Sequence, residues 1–168
     1  MGFRELTQER YSSRKYTGQK VEKEKLEAIL EAGRIAPTAK NLQPVRVIAV
    51  DSDEGMAKIA KTARLYGATL ALIVVADRSR AWVRPFDGKN FGDIDASIVT
   101  TQMMYEAQEL GLGSVWIGYF EPNIIKEEFG LGENEEASSI LAVGYRADET
   151  SANHGKRNPM YEFASKAD

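Results

Sequence analysis

A layered domain of interleaved helices and strands is predicted by three stretches of this 168-residue chain. Leu26, Ile29, Leu30 and Gly33 recur at helical spacing, and Thr69 to Ala76 is an almost unbroken apolar, β-branched run. Ile94 to Leu110 spreads apolar residues around much of a helix. Helices that alternate with strands bury their apolar faces by stacking in layers.

In chain order, Phe3, Leu6 and Arg10 share one face of a short opening helix, which delivers Arg10-Tyr11-Ser12-Ser13-Arg14 before a break at Thr17-Gly18. Glu22 to Ile35 is the first long helix, stopped by Pro37. A proline-bracketed, amide-rich loop from Pro37 to Pro44 leads into a strand over Val45 to Asp51. Alanines at 57, 60 and 63 with Ile59 predict a helix over Asp53 to Tyr66, ended by Gly67. Thr69 to Ala76 reads as a strand buried on both faces. Asp77 to Gly92 is irregular, and an irregular connection of that length in a compact domain is often functional. Ile94 to Leu110 belongs in a core or at a subunit interface, with Met103 and Met104 as packing residues. Gly111-Leu112-Gly113 ends it, and Ser114 to Phe120 is a strand. Glu121-Pro122 opens a helix closed by Gly130, because proline suits the first helical position and glycine the left-handed end. Ser138 to Tyr145 is the last strand, and the polar tail has a short helix from Pro159 onward.

With 43% hydrophobic residues, no linker and no internal repeat, residues 1–168 read as a single domain. A net charge of −3 argues against nucleic acid as the main partner, which needs a concentrated basic footprint. Ala68 to Ala76, the longest apolar stretch, is far below the ~20 residues of a membrane span. The expected location is cytoplasmic. The chain has no cysteine and one histidine, His154, which excludes disulfides, thiolate nucleophiles and histidine clusters. The neighbours of His154 suggest a surface loop. Side chains so poor in nucleophiles and bases imply that any redox or transfer chemistry comes from a bound cofactor.

Arg10, Ser12 and Arg14 fall on one side of an extended segment, and Arg10 and Arg14 also meet at helical i,i+4 spacing. Two guanidinium forks with a hydroxyl between them form a phosphate clamp, or else a solvated basic face. Gly111-Leu112-Gly113 with Gly118 is not a dinucleotide fingerprint, because it lies between helix and strand rather than strand and helix.

Three stretches in order resemble the nitroreductase family of FMN-dependent oxidoreductases: Arg10 to Arg14, the loop Ala36-Pro37-Thr38-Ala39-Lys40-Asn41-Leu42-Gln43-Pro44, and Gly111 to Gly118. The resemblance runs through nearly the whole chain. It implies an α+β three-layer sandwich with a central mixed sheet flanked by helices, assembled as a homodimer with FMN sites at the subunit interface. It places Arg10, Tyr11, Ser12 and Arg14 at the FMN phosphate and ribityl chain, with Lys156 and Arg157 completing that end. Pro37, Thr38, Ala39 and Asn41 reach the flavin of the partner subunit, supported by Gln43. Trp116, Ile117 and Gly118 line the isoalloxazine, with a backbone N–H near Gly118 bonding N5. Arg64 is the positional candidate for the positive group near N1 and O2, or an exposed arginine near a helix end.

The reaction implied is reduction of nitroaromatics, quinones or similar small electron-poor acceptors by NADH or NADPH in ping-pong fashion, with no catalytic side chain and no metal. The same resemblance also covers flavoproteins that dehalogenate or process flavin, and non-catalytic flavin-binding or redox-sensing proteins. Two departures stand out: Val45-Arg46 follows Pro44 where the family commonly has an aromatic residue, and the chain is short. The Trp82 to Phe91 connection is then either a lid, with Phe86 or Phe91 over the flavin and Arg84 or Lys89 at a nicotinamide phosphate, or a surface loop tucking aromatics into the core.

Overall fold

The structure, a computed structural model, describes residues 2–167. Helix α1 (Phe3–Glu9) is followed by α2 (Lys23–Arg34), β1 (Val45–Val50), α3 (Asp53–Ala60), β2 (Leu70–Asp77) and α4 (Gly92–Glu109). Strand β3 (Gly113–Ile117), α5 (Pro122–Phe129), β4 (Glu135–Gly144) and α6 (Met160–Phe163) complete the chain. Glu121 caps α5, Pro122 sits in its first turn, and Gly130 ends it in the left-handed conformation, as the sequence predicts.

The four strands form one sheet in the order β1-β2-β4-β3. Every ladder is antiparallel, so the expectation of a mixed sheet is corrected; the one parallel contact among the described residues is the Ser12–Ser114 bridge. The reason lies in the crossover. Strands β2 and β3, joined through α4, do run in the same direction, but β4 inserts between them and pairs antiparallel with both.

Residues 71–76 are fully buried because the sheet is covered on both faces. One side is packed by Ile59, Leu65, Ile125 and Leu131 against Ala71, Ile73, Val75 and Ile140. The other is packed by α2 and α4, with Ile29, Val99, Met103 and Met104 against Leu70, Leu72, Val74 and Leu141. Gly33 lets α2 approach α4 closely: a Cβ there would lie 2.8 Å from the Met103 side chain. The resulting α+β sandwich has helix, sheet and helix layers, the architecture implied by the sequence.

Helix α3 ends at Ala60 rather than near Tyr66. The chain turns at Lys61 and Thr62, sends Leu65 into the core, and takes Tyr66 to a φ of 57°. Across the sheet surface, the Arg46 guanidinium on β1 forks onto Glu135 on β4 at 2.5 and 2.8 Å. This arginine holds the Glu135 carboxyl down to about 2. Because that value lies below the unfolded one of about 4.3, the stability from the pair is complete above about pH 4.3 and is lost as pH falls toward 2. Acid unfolding of Glu135→Gln will therefore show a shallower loss of stability over that window than the parent.

Candidate functional site

The arginine stretch is extended, as the alternation of its side chains allowed. Ser13 donates its N–H to the Ser114 carbonyl at 3.0 Å, laying the segment along the start of β3. Gly113 permits this approach, since a Cβ there would meet the Ser13 and Arg146 Cβ atoms at 3.0 Å. On the other side, Thr17 and Ala147 donate N–H bonds to Tyr145 and Lys15, so residues 15–17 run antiparallel to the chain leaving β4. Buried Tyr16 donates its hydroxyl to the Ser13 and Ala142 carbonyls, and burial first, with the Asp148 charge second, pushes that phenol well up.

Asp148, which the sequence did not single out, locks this arrangement. Its carboxylate accepts the Ser13 hydroxyl at 2.5 Å and the Arg14 N–H at 2.6 Å, while its carbonyl accepts the Tyr11 hydroxyl at 2.7 Å. Burial pushes its carboxyl up, but the Ser13 and Arg14 bonds outweigh that and hold it below the usual aspartate range.

Arg10, Tyr11, Ser12, Arg14 and Arg157 line one depression of about 410 Å³, together with Asp148, Glu149 and His154. None of these three arginines forms an ion pair among the described residues. Arg10 Nε is buried with no acceptor among them. Arg14 reaches only the Ser12 carbonyl at 3.3 Å, and Arg157 only the His154 and Lys156 carbonyls. Three guanidiniums around one depression, unpaired and with an orphaned nitrogen, fit a phosphate dianion. His154 is not a free surface histidine: half-buried, it donates Nε2–H to the Gln8 carbonyl at 2.7 Å and stands edge-on to Tyr11. Lys156 is exposed and does not line the depression.

Strand β3 runs from this clamp toward Gly118. Gly118 lies four positions beyond Ser114, about 13 Å of extended chain, and a Cβ at Gly118 would meet nothing within 4 Å. Trp116 packs half-buried on the α2–α4 side, whereas Ile117 is only 7% exposed and turns into the opposite core. A ligand at this end of β3 thus meets open space at Gly118 rather than the Ile117 side chain.

The loop after Pro37 lies elsewhere. It forms a single 3-10 turn, Ala39–Asn41, and enters β1, whereas the clamp borders β3 at the opposite edge of the sheet. Three strand spacings, roughly 14 Å, separate these edges. Within the loop, Lys40, Asn41 and Gln43 have φ of 52°, 54° and 49°, a concentration of left-handed non-glycine residues of the kind found at ligand clamps. Thr38 Oγ1 accepts the Gln43 N–H at 3.0 Å, and the Gln43 amide donates to Asn41 Oδ1 at 3.2 Å, so Gln43 bonds to two other residues of the loop. Pro37, Asn41 and Gln43 are exposed, and Thr38 and Ala39 half-buried. Arg64 lies in the coil after α3 with its guanidinium over the Tyr66 ring at 5.1 Å, and it does not line the clamp.

The connection from Asp77 to Gly92 is an ordered hairpin closed by the Val83–Asn90 bridge. Phe91 packs edge-on against Trp82 at 4.7 Å, and Arg84 pairs with Asp87, so neither Phe91 nor Arg84 is free to meet a ligand as they stand. Phe86, 94% exposed, is the free aromatic of this hairpin.

The model of the Nitroreductase family matches residues 7–65 and 61–145. A nitroreductase family protein from Clostridium difficile 630 superposes with a TM-score of 0.94 at 50% identity, over 98% of both chains. An FMN-dependent nitroreductase from Clostridium difficile R20291 superposes with a TM-score of 0.79 at 28% identity, over 97% of this chain and 98% of that one. An NAD(P)H-dependent FMN reductase of Bacillus subtilis is 32% identical over 165 residues, 87% of this chain and 66% of the relative.

Proposed function

The chain belongs to the nitroreductase family of oxidoreductases, and from that premise we propose that it is a homodimeric FMN enzyme reducing small electron-poor acceptors with NADH or NADPH. The observation that carries this reading is the clamp of three unpaired arginines at one end of β3 with open space over Gly118 at the other. FMN, held by these residues, would supply the redox chemistry, hydride acceptance from the nicotinamide and, in a second, ping-pong half, electron delivery to a nitroaromatic, quinone or similar acceptor.

The protein's part is binding and orientation. Arg10, Arg14 and Arg157 hold the phosphate, with Tyr11 and Ser12 fixing its approach, and Asp148 keeps the clamp backbone in place. The Gly118 backbone N–H, next to open space, would be the donor to the flavin N5. The loop carrying Thr38, Ala39 and Asn41 reaches the flavin held by the partner subunit. A composite site is supported by the placement of clamp and loop at opposite edges of one sheet. Dimerisation is supported by a groove of about 770 Å³ along α4 and α1, lined by Phe3, Ile94, Ile98 and Tyr105. Among the described residues no helix is long and apolar enough to cross a membrane.

The test is the pair of half-reactions. Under anaerobic conditions NADH or NADPH will bleach the flavin, and a quinone or nitroaromatic added afterwards will restore its colour. Bound flavin that neither nicotinamide reduces would instead make this a non-catalytic flavin-binding protein.

A further inference from the structure

Asp95 lies in the first turns of α4, in a helix whose other inward residues are chiefly apolar, and is 1% exposed. Its Oδ1 accepts the Ala39 N–H at 2.9 Å, and its Oδ2 is buried with no donor among the described residues. A desolvated carboxylate with one hydrogen bond is costly, and the partial positive charge at the start of α4 offsets only part of that. Its single bond goes to the loop with three left-handed non-glycine residues. Where the loop enters β1 it is anchored by the Pro44 carbonyl, which accepts the Asp77 N–H at 2.8 Å, but between Thr38 and Gln43 its other bonds, Asn41 N–H to the Thr38 carbonyl, Leu42 N–H to the Ala39 carbonyl, and Gln43 to Thr38 and Asn41, are internal. The other outside contacts of this left-handed stretch are weak: Lys40 Nζ stands 5.7 Å over the Trp82 ring, and Arg80 reaches the Gln43 carbonyl at 3.5 Å.

We infer that Asp95 is a positioning residue which, through its bond to the Ala39 N–H, fixes the strained loop in the conformation that meets the flavin. The inference rests on the functional reading above, because it assigns that loop to the cofactor. Without the acceptor, the Ala39 N–H is orphaned. Lys40, Asn41 and Gln43 then relax toward ordinary negative φ, and the loop's polar groups leave their places.

The test is FMN titration of the full-length protein, followed by its visible spectrum, with three variants. Asp95→Ala will weaken FMN binding about tenfold or more and shift the bound-flavin spectrum. Asp95→Leu, which fills the space without offering an acceptor, will do the same if the alanine variant does not fold. Asp95→Asn keeps a carbonyl oxygen for the Ala39 N–H and will return affinity to within about threefold and restore the spectrum. Variants that lose thermal stability but keep the parent's FMN affinity and spectrum overturn the inference, leaving Asp95 a packing residue. A parent protein that takes up no FMN overturns the functional reading, and this inference with it.

Discussion

Replacing Arg14 with alanine will weaken FMN binding by about 1.5 to 3 kcal/mol, roughly 10- to 150-fold, with almost no change in the stability of the apo protein. The two halves of this expectation have separate causes. Arg14 is exposed, forms no ion pair among the described residues, and makes a single long bond to the Ser12 carbonyl, so the fold loses little without it. With a phosphate present, the same guanidinium becomes a charge-assisted donor beside Arg10 and Arg157. Arg14→Lys will recover part of the loss, because an ammonium keeps the charge but not the bidentate fork. Fluorescence titration of FMN at two salt concentrations measures both effects, and screening will narrow the difference between parent and variant at high salt. Equal FMN affinity in parent and Arg14→Ala would return this stretch to a solvated basic face.

Replacing Asp148 with alanine will act in the opposite order, on the fold first and on the ligand through it. The carboxylate is the acceptor for the fully buried Ser13 hydroxyl and for the Arg14 N–H. Leaving these two donors without it costs roughly 2 to 4 kcal/mol, and a melting temperature lower by about 5 to 15 °C follows for a chain of this size. FMN affinity will fall as well, since the backbone that aims Arg14 is no longer held. The pH dependence has a definite sign. Asp148 titrates below its usual range when folded, so its stabilisation is complete above about pH 3.9 and disappears as pH falls through the folded value. Asp148→Asn will flatten that acid limb, which thermal melts taken from about pH 5 down to about pH 2 resolve.

Most of the elements were legible because each is written locally. Helical spacing at Leu26 to Gly33, the β-branched run before Asp77, and the Pro122 and Gly130 punctuation all act within a few residues of themselves. Strand order was not legible, because interleaved helices are compatible with a crossover between neighbours and with one that leaves room for β4. Helix α3 was overextended because alanines at 60 and 63 keep a helical rhythm while Ala63 and Leu65 are buried from an irregular coil.

The clamp was legible as an anion signal, since Arg10, Ser12 and Arg14 alternate within one strand-like segment. Asp148 was not, because its bonds to Ser13 and Arg14 join positions 135 and 134 residues apart. Asp95 did leave a signal: a carboxylate on the inward side of a helix whose other inward residues are chiefly apolar requires a partner. Only the fold could supply the Ala39 N–H. Likewise, the sequence could place Ile117 at a flavin by resemblance, but the pleat of β3 alone decides that its side chain enters the core.

An absorption spectrum of purified protein, taken after incubation with FMN and again after denaturation, tests most directly whether a flavin lies between the clamp and Gly118. The predicted result is a yellow protein whose flavin bands are perturbed while it is folded. On unfolding, it will release material with the spectrum of free FMN, about one per chain given one clamp in each. A protein that stays colourless after exposure to FMN would contradict the assignment of Arg10, Ser12, Arg14 and Arg157 as a flavin phosphate site.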